Sequence, residues 1–145
     1  MKTTLPKVSN IPKDAKWYLI DAAGQTTGKV ATEAARRLTG KHRADFTPHF
    51  DLGDGVIVVN AEQLRFTGKK LTDKIYYRHS GYRGHLKEVT PKELLIKKPE
   101  RILELAIRGM LPKNKLKDNR LLRLKIFVGN EHKHEAQKPE KLEIK

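Results

Sequence analysis

The sequence predicts an α/β fold with a mainly parallel sheet, because strand-like and helix-like segments alternate along the chain. An apolar run at 17–21 precedes an amphipathic segment, and an unbroken β-branched run follows at 56–59. A third strand-like run, at 123–128, comes after two further helical segments. This order favours right-handed crossovers between parallel strands.

The first helix is predicted from about Lys29 to Thr39, with Gly40 as a left-handed cap. Its small apolar residues share one broad face, which favours close packing on a sheet. These residues are Val30, Ala31, Ala34, Ala35 and Leu38.

The run Val56–Val59 has the pattern of a strand that is covered on both faces. It is bounded by Gly53, Gly55 and Asn60. Asp51 and Asp54 bracket Gly53, and we interpret this segment as a turn before the strand.

Residues 75–89 are rich in glycine and charge, which predicts an exposed, hairpin-like excursion from the core. One of Tyr76 and Tyr77 is expected to face inward. The sequence Thr90-Pro91-Lys92-Glu93 has the form of a capping box, so a short helix should begin there.

A further helix is predicted to begin at Pro99 and to end near Gly109, because Pro112 disfavours a helical residue before it. Arg101 and Arg108 project opposite its apolar stripe, and Glu104 is spaced to pair with them. Met110 and Leu111 are expected to anchor the exit of this helix in the core. The apolar stripe consists of Ile102, Leu103, Ala106, Ile107 and Met110.

The length of 145 residues predicts one domain, with an N-terminal arm at 1–15 and a Lys/Glu-rich C-terminal tail at 130–145. The absence of cysteine excludes disulfides, thiolate metal sites and cysteine nucleophiles. The N-terminus has no apolar signal region, and no stretch approaches the ~20 apolar residues that span a bilayer. We therefore expect a soluble cytoplasmic protein.

Positive charge is concentrated in one segment. Residues 65–125 hold 18 Lys and Arg against 6 Asp and Glu, whereas the whole chain has a net charge of +14. Such a field attracts polyanions. A membrane-lying helix would need an aromatic apolar face, and Trp17 lies outside this segment. Nucleic acid is the favoured partner.

Several ordered motifs resemble those of the universal large-subunit ribosomal protein thirteen family in its bacterial form. They are "WYLIDAAGQTTGKVA", "GKHRADFTPH", "GDGVIVVNAE", "TGKKLTDKIYYRHSGY", "PERILELAIRGMLPKN" and "HEAQKP". The likeness runs almost end to end. The chain departs from the family pattern at Arg83 and Lys133, where proline is usual, and at Gly55, where a bulky residue is usual.

The resemblance implies a three-layer α/β/α protein with a four-stranded parallel sheet and basic loop extensions. It further implies binding to large-subunit ribosomal RNA early in subunit assembly, contact with neighbouring ribosomal proteins, and no catalysis. No cofactor, metal, membrane or small-molecule substrate is expected. A role on messenger RNA would use the same surface and leave no separate signature.

The candidate RNA-binding residues combine cations for phosphates with aromatic rings for exposed bases. For the lysines, the competing interpretation is a solvated charged face. The candidates are Lys41, His42, Arg43, Lys69, Lys70, Lys74, Tyr77, Arg78, His79, Tyr82, Arg83, Lys87, Arg108, Lys113, Asn114, Lys115, Lys117, Arg120 and Arg123.

The alternative function is a nucleotide-binding α/β enzyme that uses the loop from Gly24 to Lys29. That loop has three residues between its glycines and Val30 after the lysine, whereas a phosphate loop needs four residues and Ser or Thr. A tight strand-to-helix turn is the favoured interpretation. The pair His132 and His134 is too sparse for a structural metal site, which normally has four protein ligands.

Overall fold

The structure is a computed structural model that describes residues 15–144. The predicted N-terminal arm therefore lies outside the described residues, except for Ala15.

The described part of the chain contains six strands and five α-helices. The strands are β1 (Trp17–Asp21), β2 (Gly55–Val59), β3 (Tyr76–His79), β4 (Leu86–Val89), β5 (Leu124–Ile126) and β6 (Glu140–Leu142). The helices are α1 (Thr27–Thr39), α2 (Lys70–Asp73), α3 (Pro91–Lys97), α4 (Glu100–Met110) and α5 (Lys117–Leu122). Short 3-10 turns lie at Ala61–Gln63 and Glu135–Gln137.

The main sheet has the order β5-β2-β1-β6, and every pair in it is parallel. Together with the helices, this arrangement confirms the predicted α/β fold and is consistent with three layers. Strand β6 forms one edge of this four-stranded sheet and lies within the Lys/Glu-rich C-terminal segment. It pairs with β1, where Tyr18 is the register partner of Glu140. Periodicity did not identify this strand, because it is short and two of its three residues are exposed and charged.

One face of the sheet packs against α1 and α4. Ala31 and Ala34 are fully buried, so the small side chains bring α1 close to β2, as the sequence predicts. The predicted cap is also confirmed, since Gly40 has φ of 80° and ends the helix. The helix begins at Thr27, two residues before the expected start.

The other face of the sheet carries an aromatic cluster. Trp17 is the register partner of Gly55, and a Cβ added at Gly55 would overlap the indole ring. His134 stacks on Trp17 with ring centroids 6.0 Å apart, and Phe127 lies against His134 at 5.7 Å. The space that a bulky residue would take at position 55 is therefore filled by Trp17.

The helix starts predicted in the second half of the chain agree with the structure. Thr90 Oγ1 accepts a hydrogen bond from the Glu93 amide at 3.4 Å, and Pro91 occupies the first turn of α3. Helix α4 follows Pro99, and Arg101 Nη1 donates to Glu104 Oε2 at 2.7 Å.

The exit of α4 differs from the prediction. The helix continues to Met110, one residue beyond Gly109, and the Met110 side chain is 45% exposed. Because Met110 is still helical, it projects beside Thr32 of α1, with its Sδ 3.6 Å from Thr32 Oγ1. Only Leu111, which is 2% exposed, turns into the core. The expectation that both residues are core anchors was wrong for Met110.

Candidate nucleic-acid interface

The segment predicted as a hairpin-like excursion forms a two-stranded antiparallel hairpin, β3 and β4, outside the main sheet. Its tip turns through Gly81 and Gly84, which have φ of 95° and 75°. Tyr77 and Tyr82 expose 62% and 75% of their surface. Aromatic rings on this hairpin are thus available for stacking.

One face of the hairpin is cationic. Arg78 and Lys87 are direct cross-strand partners, so their side chains leave the same face of the ribbon. Within residues 15–144 neither side chain forms an ion pair, and Glu88 lies opposite Tyr77 on the other face. Like charges placed directly opposite each other destabilise a strand pair. A bound anion would remove this repulsion.

Tyr76, at the start of β3, is the tyrosine that faces inward, while Tyr77 is exposed. Burial raises the pKa of the Tyr76 phenol above its usual value. Lys74 Nζ lies 5.0 Å from the centroid of its ring. The base of the hairpin therefore combines an aromatic ring with a cation.

The exposed candidates lie on the hairpin, in the segment before it, just after α1 and near the end of α4. Lys69 and Lys70 lie at the start of α2, and Lys70 Nζ donates to Thr67 Oγ1 at 3.4 Å. The side chains in this exposed group are Lys41, Lys69, Lys70, Lys74, Arg78, His79, Arg83, Lys87 and Arg108.

The turn at residues 113–117 connects α4 to α5 and is held by its own backbone. The Asn114 amide donates to the Pro112 carbonyl at 3.0 Å, and the Lys117 amide donates to the Asn114 carbonyl at 3.2 Å. Lys113, Asn114 and Lys115 are exposed, whereas Lys117 is half-buried in the first turn of α5. The lysines therefore leave the fold from a defined turn.

Arg120 does not fit the prediction that it contacts RNA. Its side chain is 2% exposed, and its Nε lies 3.3 Å from Asp51 Oδ1. Arg123 binds the same carboxylate with both terminal nitrogens and is 18% exposed. These two arginines are occupied inside the protein because α5 turns them towards the loop that precedes β2.

His42 and Arg43 are also engaged by acidic side chains. His42 Nε2 lies 2.6 Å from Asp54 Oδ2, and Asp54 is 1% exposed. Arg43 pairs with Asp45 at 3.0 Å and lies 3.7 Å from Asp54. The interpretation of Asp51 and Asp54 as turn residues missed this role, because spacing in the sequence does not indicate which distant cation a carboxylate will meet.

The loop considered for nucleotide binding uses the amides of Gly24, Gln25 and Thr27 internally. Gly24 donates to the Gln63 carbonyl at 3.1 Å, and Thr27 donates to the Arg65 carbonyl at 3.2 Å. The Ala23 amide donates to Asp21 Oδ1 at 2.9 Å. A phosphate loop needs such amides free to point at the ligand, so this geometry supports the tight-turn interpretation.

Residues 15–144 contain neither a cluster for a metal ion nor a helix that could span a membrane. No group of three or more His, Asp or Glu side chains in this range is placed to hold a metal ion. No helix in the same range has the length and apolar character needed to cross a bilayer.

A parallel α/β core that carries an exposed cationic hairpin is typical of small basic proteins that assemble with nucleic acid. The family model described as Ribosomal protein L13 matches residues 15–133. The chain belongs to the ribosomal protein L13 family, which is a family of ribosomal proteins.

Relatives from several bacteria cover nearly the whole chain. The large ribosomal subunit protein uL13 of Syntrophus aciditrophicus is 54% identical over 144 residues, which are 99% of this chain and 100% of the relative. The protein of the same name from Symbiobacterium thermophilum is 52% identical over 143 residues, or 99% of both chains. That from Pseudomonas aeruginosa is 50% identical over 144 residues, or 99% of this chain and 100% of the relative. The family resemblance found in the sequence is thereby confirmed.

Proposed function

We propose that the chain is a structural constituent of the large ribosomal subunit that binds large-subunit ribosomal RNA and supports early assembly of the subunit beside neighbouring ribosomal proteins. The proposed RNA surface consists of the β3–β4 hairpin, the Lys69–Lys74 segment and the turn at 113–117. The names of its relatives support the placement in the large subunit.

The cross-strand pair of Arg78 and Lys87 is the observation on which this proposal rests most. In isolation the two cations repel each other, and no acidic side chain within residues 15–144 forms an ion pair with either of them. A phosphate placed between them would replace repulsion with two attractive contacts. The hairpin is therefore better suited to a bound polyanion than to water.

The aromatic residues extend this surface from phosphates to bases. Tyr77 exposes its ring on the face of the hairpin opposite to Arg78 and Lys87, and Tyr82 exposes its ring at the tip, next to Arg83. Unstacked bases of folded RNA bind to such rings by stacking, and each stack adds affinity without strict sequence preference. We assign phosphate contacts to the cations and stacking to these two tyrosines.

We do not assign RNA contacts to Arg120 and Arg123. They hold Asp51 and thereby position α5 at the end of the 113–117 turn. Their contribution to RNA binding is to fix the geometry of the lysines.

The test is the salt dependence of binding to deproteinised large-subunit ribosomal RNA. Removal of one cation that binds a phosphate reduces the slope of log K against log salt by about 0.7 to 0.9. The double variant Arg78→Gln with Lys87→Gln should flatten the slope by about 1.5 and should unfold no earlier than the wild type. Binding is measured by filter retention at several salt concentrations.

The matched control removes two charges elsewhere, with Lys133→Gln and Lys141→Gln, and should retain the wild-type slope. If the hairpin variant also retained the slope, the cations would face only solvent and the assignment would fail. Failure of the wild type to bind large-subunit RNA in preference to small-subunit RNA would overturn the proposed function.

A further inference from the structure

A cleft of about 420 Å³ lies where the base of the hairpin meets α4 and the first turn of α1. Its size falls within the range of about 300–1,000 Å³ that is usual for small-ligand sites. The residues that line it include Phe66, Lys70, Lys74, Tyr76, Ala106 and Met110.

Two kinds of side chain line this cleft. Phe66, Tyr76 and Met110 supply aromatic and apolar surface, and both rings are half-buried. Lys70 and Lys74 stand at its edge with their side chains exposed. Among the described residues, none that lines the cleft is acidic. The cleft, with apolar rings inside and lysines at its edge, therefore suits a flat apolar group that carries negative charge on one side.

We propose that the cleft takes one unstacked nucleotide of the bound RNA, with its base against Phe66 and Tyr76 and its phosphate on Lys70 and Lys74. This inference rests on the proposed function and adds a specific subsite to it. The base gains stacking on the aromatic rings, and the phosphate gains two cations.

The position of the cleft favours a nucleotide over a separate protein partner. Lys74 and Tyr76 belong both to the cleft and to the base of the hairpin, so the cleft is continuous with the proposed RNA surface. An RNA strand that follows the Arg78 and Lys87 face would pass its entrance. A protein segment would have to reach the same place beneath the RNA.

Gly109 makes a clean test of occupancy possible. A Cβ at this position meets no atom within 4 Å. Four residues rotate a helix by about 400° and three by about 300°, so Gly109 lies between Leu105 and Ala106 on the circumference of α4. Because both neighbours line the cleft, a large side chain at 109 would extend into it.

The first experiment compares Gly109→Leu with Gly109→Ala in the full chain. Both substitutions favour the helix, since glycine is the poorer helix former, and neither changes the charge. The leucine should fill the cleft, whereas the alanine methyl group should leave it open. Gly109→Leu should weaken binding to large-subunit ribosomal RNA about tenfold, the scale of one missing base stack. Its salt slope should be unchanged, and Gly109→Ala should bind as the wild type.

A second pair of variants tests the ring and does not depend on the behaviour of Gly109→Leu. Tyr76→Phe keeps the aromatic surface and should retain affinity, whereas Tyr76→Leu keeps the apolar volume and should bind about tenfold more weakly. Ultraviolet cross-linking to the same RNA, followed by mass spectrometry, should place a nucleotide adduct on Phe66 or Tyr76 of the wild type. That adduct should disappear in Gly109→Leu.

The outcomes separate the two proposals. If Gly109→Leu or Tyr76→Leu binds as the wild type, or the adduct persists in Gly109→Leu, the cleft holds no nucleotide. The hairpin could still show its expected salt effect, and the proposed function would stand. If the wild-type protein itself shows no preference for large-subunit RNA, the proposed function fails and the subsite fails with it.

Discussion

Arg123 binds both oxygens of the Asp51 carboxylate, with Nη2 2.6 Å from Oδ1 and Nη1 2.8 Å from Oδ2. Arg120 Nε shares Oδ1 at 3.3 Å, and the Asp51 side chain is 13% exposed. One carboxylate therefore joins the loop before β2 to α5, through Arg120, and to Arg123, the residue that links α5 to β5. A bidentate contact between a guanidinium and a carboxylate is stronger and more directional than a single charge pair.

Replacing Asp51 by alanine should destabilise the protein strongly. The substitution would leave the Arg120 guanidinium, which is 2% exposed, without its carboxylate. Removing one partner of a buried pair costs about 3–5 kcal/mol, because the remaining charge is not solvated. The free energy of unfolding, measured in urea, checks this expectation.

The matched control for Asp51→Ala is Asp45→Ala. Asp45 pairs with Arg43 but its side chain is 38% exposed, so its removal should cost no more than about 1 kcal/mol. Equal destabilisation by the two substitutions would contradict the structural role assigned to Asp51.

The cations that follow α4 illustrate what the sequence could and could not predict. An unbroken apolar run located β2 and hydrophobic periodicity located α4, because burial on both faces or on one face leaves a recognisable pattern in the sequence. The run of cations from Lys113 to Arg123 looks uniform in the sequence, whereas α5 turns Arg120 inward and leaves Lys113 in solvent. Whether each cation points into the protein or into solvent depends on α5, which is a short helix with no clear apolar stripe.

The candidate site was likewise predictable only in part. The exposed hairpin was predictable from the glycine and charge content of residues 75–89. The direct opposition of Arg78 and Lys87 was not, because it depends on the register of β3 and β4. The cleft beside Tyr76 required three separate segments to meet, and no local pattern indicates such a meeting.

Met110 and Leu111 should differ sharply in their effect on stability. Leu111 is 2% exposed, so Leu111→Ala should cost about 2–5 kcal/mol through reduced burial and the cavity left behind. Met110 is 45% exposed, and Met110→Ala should cost less than about 1 kcal/mol. Urea unfolding of both variants provides the comparison. A larger effect for Met110→Ala would restore it as the main core anchor.

The stability contributed by Asp21 should depend on pH. Asn60 Nδ2 donates to Asp21 Oδ1 at 2.8 Å, and this hydrogen bond, followed by that from the Ala23 amide, lowers the pKa of the Asp21 carboxyl. A lowered folded-state pKa stabilises the protein above the unfolded pKa of about 3.9. The contribution is lost as the pH falls through the folded value.

Asn60→Gly tests this dependence, because Asn60 has φ of 57° and glycine tolerates the same left-handed backbone. The variant should have a lower Tm than the wild type at pH 7, and the difference should narrow at pH 3. Thermal unfolding followed by circular dichroism measures both. The backbone entropy of glycine does not depend on pH, so a difference of equal size at pH 3 would exclude the carboxylate as its source.

The turn at residues 113–117 should contribute part of the salt dependence of RNA binding. Lys113 and Lys115 are exposed and Lys117 is half-buried, on a turn fixed by the Asn114 amide and carbonyl. If all three lysines contact phosphates, their joint replacement by alanine should flatten the salt slope by about 2. The fold should remain intact, because none of the three lysines forms an ion pair among the described residues.

The control for this triple variant replaces the same three lysines by arginine. It preserves the charge, and it should retain the slope even though guanidinium and ammonium groups differ in geometry. A fall in slope for the alanine variant alone assigns the effect to charge delivered by the turn. An unchanged slope in the alanine variant would mean that these lysines face solvent, and the RNA surface would then be confined to the hairpin and the Lys69–Lys74 segment.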